Sequence, residues 1–148
     1  MNPLMRICGI DYGENRTGIA VSDPLGWTAQ GLETVSGGMG KAISRIANLI
    51  QEMGITTIVV GYPLNMNGTA GYRAERTDTF IEALRERISD DRIEIVRLDE
   101  RLTSREAAQA LAATGVRPTS RDVREKGKID ILAATFLLQS YLDRVNKD

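Results

Sequence analysis

The hydrophobic and polar positions follow two different periods along the chain, and each period predicts one kind of element. Residues 6–11 and 17–21 are short apolar runs separated by a glycine-bearing turn, which predicts a β-hairpin. Residues 30–35 predict a third strand with weaker alternation, and the β-branched runs at 55–61 and 93–98 predict two more. We therefore expect five strands, of which the first three are joined by short turns.

Apolar residues at spacings of three and four predict three amphipathic helices, over residues 41–53, 73–89 and 128–145. The pair Thr103 and Glu106 has capping-box spacing and predicts a further short helix that ends near Gly115. Residues 116–127 are expected to form a basic loop. Antiparallel hairpins followed by β-α-β crossovers predict an α/β fold, with a mixed five-stranded sheet flanked by helices.

Length and composition limit the possible chemistry. A chain of 148 residues that is 42% hydrophobic fits one domain, spanning residues 1–148. It has neither a long apolar run nor a secretory signal, so we expect a cytoplasmic protein without a membrane segment. Cys8 is the only cysteine and is expected in the core, which excludes disulfides within one chain, and 0 histidines exclude His-based catalysis and His-ligated zinc. Catalysis would have to use carboxylates, hydroxyls and cations.

The charge balance argues against a protein that coats nucleic acid by bulk charge. The net charge is -1, and only the segment from Arg97 to Lys128 has a local excess of basic residues. This segment is either a phosphate-binding patch or an ordinary solvated surface of mixed charge.

Four carboxylates lie where apolar elements end. Asp11 closes the first strand, and Asp99 and Glu100 close the strand at 93–98. Asp130 is in line with the apolar stripe of the last helix, where an acid needs a partner. Several carboxylates together are costly unless a cation neutralises them. Oxygen ligands suit Mg²⁺ or Mn²⁺, and two such ions about 4 Å apart can hydrolyse a phosphodiester bond.

Each acid also has a structural explanation. Asp11 could start a turn, Asp99 or Glu100 could form a surface ion pair with a neighbouring arginine, and Asp130 could be a first-turn acid favoured by the helix dipole. Asp99 and Glu100 point to opposite faces of a strand, and both faces are apolar. The strand pattern therefore leaves open which of these two acids belongs to a site.

Four sequence blocks occur in order along nearly the whole chain. They read GIDYG at 9–13 with Arg16, Gly18, Ala20 and SDP at 22–24; VGYPL at 60–64 with Met66, Gly68 and Gly71; DERLT at 99–103; and KID at 128–130 with Ala133 and Ala134. Together they resemble the YqgF/RuvX family of RNase H-like nucleases. The resemblance implies an RNase H-like fold, with Asp11, Glu100 and Asp130 as catalytic, metal-binding acids. It also implies either maturation of the 5′ end of pre-16S rRNA in ribosome biogenesis or resolution of Holliday junctions in branched DNA.

Several polar residues near these acids are candidate nucleic-acid contacts. Arg101 and Arg105 lie about one helical turn apart beside Glu100, so both could hold phosphates that flank the scissile one. Two lysines are placed similarly beside Asp130, and a polar loop follows the strand at 55–61. The full candidate set is Arg16, Asn65, Gly68, Arg101, Arg105, Lys126 and Lys128.

The leading hypothesis is thus a nuclease that uses two Mg²⁺ or Mn²⁺ ions and acts on an RNA precursor or on branched DNA. An actin-like ATPase is less consistent with the chain, because that architecture needs two such domains around the nucleotide. The third hypothesis is a non-catalytic RNA-binding module of the same fold. A junction resolvase would be a homodimer, since two symmetric cuts need two sites, whereas a monomer would favour single-strand processing.

Overall fold

The computed structural model describes residues 6–102 and 123–147, together with positions 109 and 113. Five strands form one sheet: β1 (Arg6–Asp11), β2 (Arg16–Ser22), β3 (Ala29–Ser36), β4 (Ile55–Tyr62) and β5 (Glu94–Asp99). The strand order is β3-β2-β1-β4-β5, with antiparallel pairing on the β2 side of β1 and parallel pairing from β1 through β4 to β5. The predicted mixed five-stranded sheet is confirmed, and each strand end lies within one residue of its predicted position.

Residues 6–102 and 123–147 also contain three α-helices and one short 3₁₀ helix: α1 (Met39–Met53), α2 (Tyr72–Ile88), the 3₁₀ helix (Glu100–Leu102) and α3 (Val123–Val145). Apart from positions 109 and 113, which are helical, the predicted helix that begins near Thr103 lies outside the described residues, and so do residues 116–122 of the predicted basic loop. Among the helices that the structure describes, none is both long and apolar enough to cross a membrane.

The start of α3 corrects the sequence prediction. Residues 123–127 were expected to belong to a basic loop, with the last helix beginning at Lys128, but the helix already begins at Val123. Strand β3 supports this first part of the helix, because the Thr34 hydroxyl donates a 2.6 Å hydrogen bond to the carbonyl of Gly127. Asp130 therefore lies about two turns inside α3, beyond the first turn where the helix dipole favours an acid. The dipole explanation of Asp130 is wrong.

The sheet has helices on both faces. One core cluster joins it to α1 and α2, and a second joins it to α3 through Ala134, Leu137, Leu138 and Leu142. Burial of each such leucine contributes about 1.5–3 kcal/mol. Cys8 is fully buried in the first cluster, as predicted, and burial raises the pKa of its thiol to about 12.

The alternation of β1 determines which face Asp11 occupies. Cys8 and Ile10 pack towards α1 and α2, so Gly9 and Asp11 point towards α3. Helix α3 lies very close to this face, since a Cβ added at Gly9 would be 2.7 Å from the Cβ of Leu138. Asp11 is therefore on the side of the sheet where α3 carries Asp130.

Candidate active site

Two glycines make room for carboxylates on either side of Asp11. Asp11 is directly opposite Gly18 in the β1–β2 pair, and Gly61 lies near the end of the neighbouring strand β4. A Cβ at Gly18 would overlap the backbone oxygen of Asp130, and a Cβ at Gly61 would lie 2.7 Å from Oε1 of Glu100. The lack of side chains at these two positions lets α3 and the 3₁₀ helix approach Asp11 from opposite sides.

Asp11 and Glu100 form a carboxyl pair. The two side chains share a hydrogen bond, so one of them carries a proton. Burial raises the pKa of Asp11 to about 7, and the negative charges of Glu100 and Asp130 act in the same direction, while the positive charge of Arg73 opposes them. Burial also raises the pKa of Glu100. The pair is therefore still partly protonated near neutral pH.

Asp130 is next to this pair but has a different partner. Its Oδ2 accepts a 2.8 Å hydrogen bond from Nε of Arg16, and both side chains are partly buried. The charge of Asp130 nevertheless acts on Asp11. Within the part of the chain that the structure describes, no three acidic side chains converge closely enough to hold a metal ion. The structure thus brings Asp11 and Glu100 together and holds Asp130 beside them through Arg16.

The structure separates the roles of Asp99 and Glu100. Asp99 is the last residue of β5, and its carboxylate accepts bonds from the backbone N–H, Nε and Nη2 of Arg101, at 2.9, 3.1 and 2.7 Å. These bonds lower the pKa of Asp99. Glu100 begins the 3₁₀ helix, and its side chain reaches Asp11 instead. Among the described residues, the surface ion pair considered for either acid is formed by Asp99.

The loop between β4 and α2 is organised by its own polar groups. The side-chain amide of Asn65 donates a 3.0 Å hydrogen bond to the Thr69 hydroxyl. The backbone carbonyl of Asn65 accepts a 2.8 Å bond from the N–H of Gly68, which has a φ of 88°. Nη1 of Arg101 donates to the Met66 carbonyl at 3.3 Å, so the loop is joined to the end of β5. The exposed loop therefore lies at the same edge of the sheet as Glu100.

The remaining candidate contacts are distributed around α3. Lys126 is partly buried and Lys128 is exposed, and both are within one helical turn of Asp130. Arg16, by contrast, is engaged by Asp130. Arg105 lies outside the described residues. Contact of any of these residues with nucleic acid stays a prediction.

Sequence reasoning missed one cation of the site, Arg73. It lies in the first turn of α2, and its charge lowers the pKa of both Asp11 and Glu100. A signal was present in the sequence, because a cation in the first turn of a helix is disfavoured by the macrodipole and so calls for another explanation.

A comparison with protein families gives a match that spans all four sequence blocks. The family model described as RuvX, Holliday junction resolvase, matches residues 5–144. The chain belongs to this family. A relative from Ruminiclostridium cellulolyticum is 46% identical over 144 residues, covering 95% of this chain and 96% of its own. One from Bacillus subtilis is 44% identical over 147 residues, covering 96% and 100%. Both carry the provisional name pre-16S rRNA nuclease.

Solved structures support the fold. RuvC of Thermus thermophilus superposes with a TM-score of 0.57 at 14% identity, covering 95% of this chain and 97% of that one. The Holliday junction resolvase of fowlpox virus gives a TM-score of 0.52 at 16% identity, covering 95% and 99%. The predicted RNase H-like fold is therefore confirmed. Family membership likewise confirms the predicted enzyme class, a nuclease.

Proposed function

We propose that the chain is a metal-dependent endonuclease that processes the 5′ end of pre-16S rRNA during ribosome biogenesis. The observation that carries the catalytic part is the carboxyl pair of Asp11 and Glu100, with Asp130 close enough for its charge to act on Asp11. The choice of substrate rests on the names of relatives that match the chain over nearly their full length. A cytoplasmic location is part of this proposal.

The side chains present fit a hard divalent cation. The donors are carboxylate oxygens, which Mg²⁺ and Mn²⁺ prefer, and the chain has 0 histidines and a buried thiol that cannot compete. Asp11 and Glu100 would hold the first ion, because a cation relieves the repulsion that now keeps a proton between them. Asp130 would join a second ion by exchanging Arg16 for it.

The chemistry can be divided between the cations and the protein. When bound, two divalent ions supply the charge that makes a water nucleophilic and stabilises the leaving oxygen. Asp11 and Glu100 would release their shared proton to solvent and would hold the cations through their carboxylate oxygens. Arg73 would bind phosphate oxygens of the same strand. Arg16 would do so as well, once it no longer pairs with Asp130.

Resolution of Holliday junctions is the second candidate, and the description of the family model favours it. It requires a homodimer, since one active site cuts one strand. RNA binding without cleavage is the third candidate, and the retained carboxyl pair argues against it.

The proposal is tested by one cleavage assay with two substrates. A 5′-extended small-subunit rRNA precursor and a four-way DNA junction are incubated with the purified chain in Mg²⁺, in Mn²⁺ and in EDTA. We expect cleavage of the precursor only with a divalent ion, abolished by Asp11→Asn and retained by Asp99→Asn, whose side chain is bound to Arg101. Faster cutting of the junction would favour the resolvase, and equal cleavage by the Asp11→Asn protein would refute the catalytic site.

A further inference from the structure

A cavity of about 220 Å³ lies beside the carboxyl pair. Its walls are the β1–β2 turn, with Tyr12, Gly13 and Glu14, and the first turns of α2, with Tyr72, Arg73, Arg76 and Thr77. Tyr12 forms the inner wall, since it is 8% exposed and stacks on Phe80 with ring centroids 4.4 Å apart. The cavity follows directly on Asp11 in the chain and is smaller than the roughly 300–1,000 Å³ pockets that enclose drug-sized ligands.

Arg73 supplies the cavity with a positive charge. Within residues 6–102 and 123–147 its side chain makes no ion pair and no hydrogen bond, unlike Arg16, Arg76 and Arg101. It is solvent-exposed and close enough to Asp11 and Glu100 for its charge to act on both. An arginine between two acids and an open cavity is well placed to bind a phosphate that reaches the acids.

Tyr72 supplies an aromatic surface at the rim. Its side chain is 66% exposed, which is unusual for a large ring, and its hydroxyl donates a 2.8 Å hydrogen bond to Oε1 of Glu14. The same oxygen lies 3.2 Å from Nε of Arg76. Glu14, which is 58 residues away in the sequence, therefore fixes the orientation of this exposed ring. A fixed aromatic ring beside an arginine is the combination that binds an unpaired base and its phosphate.

We propose that this cavity binds one unpaired nucleotide of the strand that is cut, next to the scissile phosphate, with its base on Tyr72 and a phosphate on Arg73. The inference rests on the proposed nuclease function and adds that the flank of the cleavage site is single-stranded. A base inside a regular duplex has no free face for Tyr72, so a duplex would not use this cavity.

Binding measurements test the cavity separately from catalysis. The full chain, in EDTA, is titrated with a fluorescein-labelled RNA single strand of about ten nucleotides and with the corresponding duplex, and gels verify that the probes stay intact. We expect Tyr72→Ala and Arg73→Gln each to weaken single-strand binding about tenfold or more, and Tyr72→Phe, which keeps the ring, to weaken it much less. Arg87→Gln, an exposed cation in the last turn of the same helix, is the matched control and should have little effect.

The outcomes distinguish the two proposals. If the parent chain does not bind the single strand, or if Tyr72→Ala and Arg73→Gln bind it as the parent does, the cavity is not a nucleotide site, whatever the cleavage assay shows. Equal weakening of duplex binding by Tyr72→Ala would also overturn it, because the ring would then act without stacking on an unpaired base. Loss of binding in these variants, together with cleavage that does not need Asp11, would keep the cavity and refute the proposed catalytic site.

Discussion

The two sides of the candidate active site balance negative charge in different ways. At the ends of β1 and β5, Asp11 and Glu100 share a hydrogen bond, and burial raises the pKa of Asp11 to about 7. On α3, Asp130 is held by Arg16 at 2.8 Å. The charge of Asp11 and Glu100 is therefore reduced by a proton, which a metal ion can replace. The charge of Asp130 is balanced by an arginine of the chain.

This difference shows two ways in which the chain itself balances the charge of closely placed acids. Two partly buried carboxylates in contact cannot both be ionised at low cost, so the pair retains a proton in the folded chain. A third charge would make this cost larger, and the ion pair with Arg16 reduces its effect. Asp11, Glu100 and Asp130 are neighbours but do not converge on one position. Accordingly, the described residues contain no cluster of three acids.

The largest expected effect is on cleavage. Asp11→Asn and Glu100→Gln should each lower kcat/KM about a thousandfold or more, roughly 4 kcal/mol of transition-state stabilisation, because each removes one half of the pair. The double variant should lose little more than either single variant, since the two acids act as a unit. Single-turnover kinetics on the RNA precursor measure this, and additive losses would contradict the pairing.

The next effect is on stability and compares the two glycines. A side chain at Gly18 meets the backbone of α3 at Asp130, which cannot move without the helix, whereas one at Gly61 meets the flexible end of Glu100. We expect Gly18→Ala to lower the free energy of unfolding by about 3 kcal/mol and Gly61→Ala by about 1 kcal/mol. Chemical denaturation measures both, and a smaller loss for Gly18→Ala would contradict the described packing.

A smaller effect is the dependence of stability on pH without metal. The pKa of Asp11 is raised in the folded chain from 3.8 to about 7, so its stabilising contribution is complete below about pH 4 and is lost as the pH rises through 7. Asp11→Asn should remove this loss and stabilise the chain by about 1–3 kcal/mol at pH 8. Thermal unfolding from pH 5 to pH 8 measures it. Asp130→Asn is the control and should give no such gain, because it leaves Arg16 without its partner.

The smallest effect concerns Arg16. Without its guanidinium, Asp130 is free to bind a cation and the site is more negative, so Arg16→Gln should bind Mn²⁺ a few times more tightly. Arg101→Gln removes a cation that is paired with Asp99 and should leave Mn²⁺ affinity unchanged. Calorimetric titration compares the two variants, and weaker binding by Arg16→Gln would show that Arg16 does not compete with the metal.

Most of the fold could be predicted from the sequence, because strand alternation and helical stripes report burial directly. The start of α3 could not, since Gly127 has the appearance of a loop residue and its support comes from Thr34 in β3. The strand pattern could not decide between Asp99 and Glu100 either, and only the family resemblance indicated Glu100. β5 ends at Asp99, so strand alternation no longer governs the direction of Glu100 in the 3₁₀ helix.

The cavity beside the active site could not be predicted from the sequence either. Its two walls are the turn at Glu14 and the start of α2 at Tyr72, which meet only in the folded chain. By contrast, Asp11 and Asp130 stand out in the sequence, because each lies where an apolar element ends and Asp130 is in line with an apolar stripe. The structure places them on facing elements, and the role of Asp11, Glu100 and Asp130 as metal ligands stays a prediction.

Proton release on metal binding tests the central claim most directly. Mn²⁺ is titrated into the chain at pH 6 in two buffers of different ionisation enthalpy, which gives the number of protons released. We predict about one proton per chain, because the ion must displace the proton held between Asp11 and Glu100, and no release from the Asp11→Asn protein. Binding of Mn²⁺ without proton release, or equal binding and release by Asp11→Asn, would contradict the account.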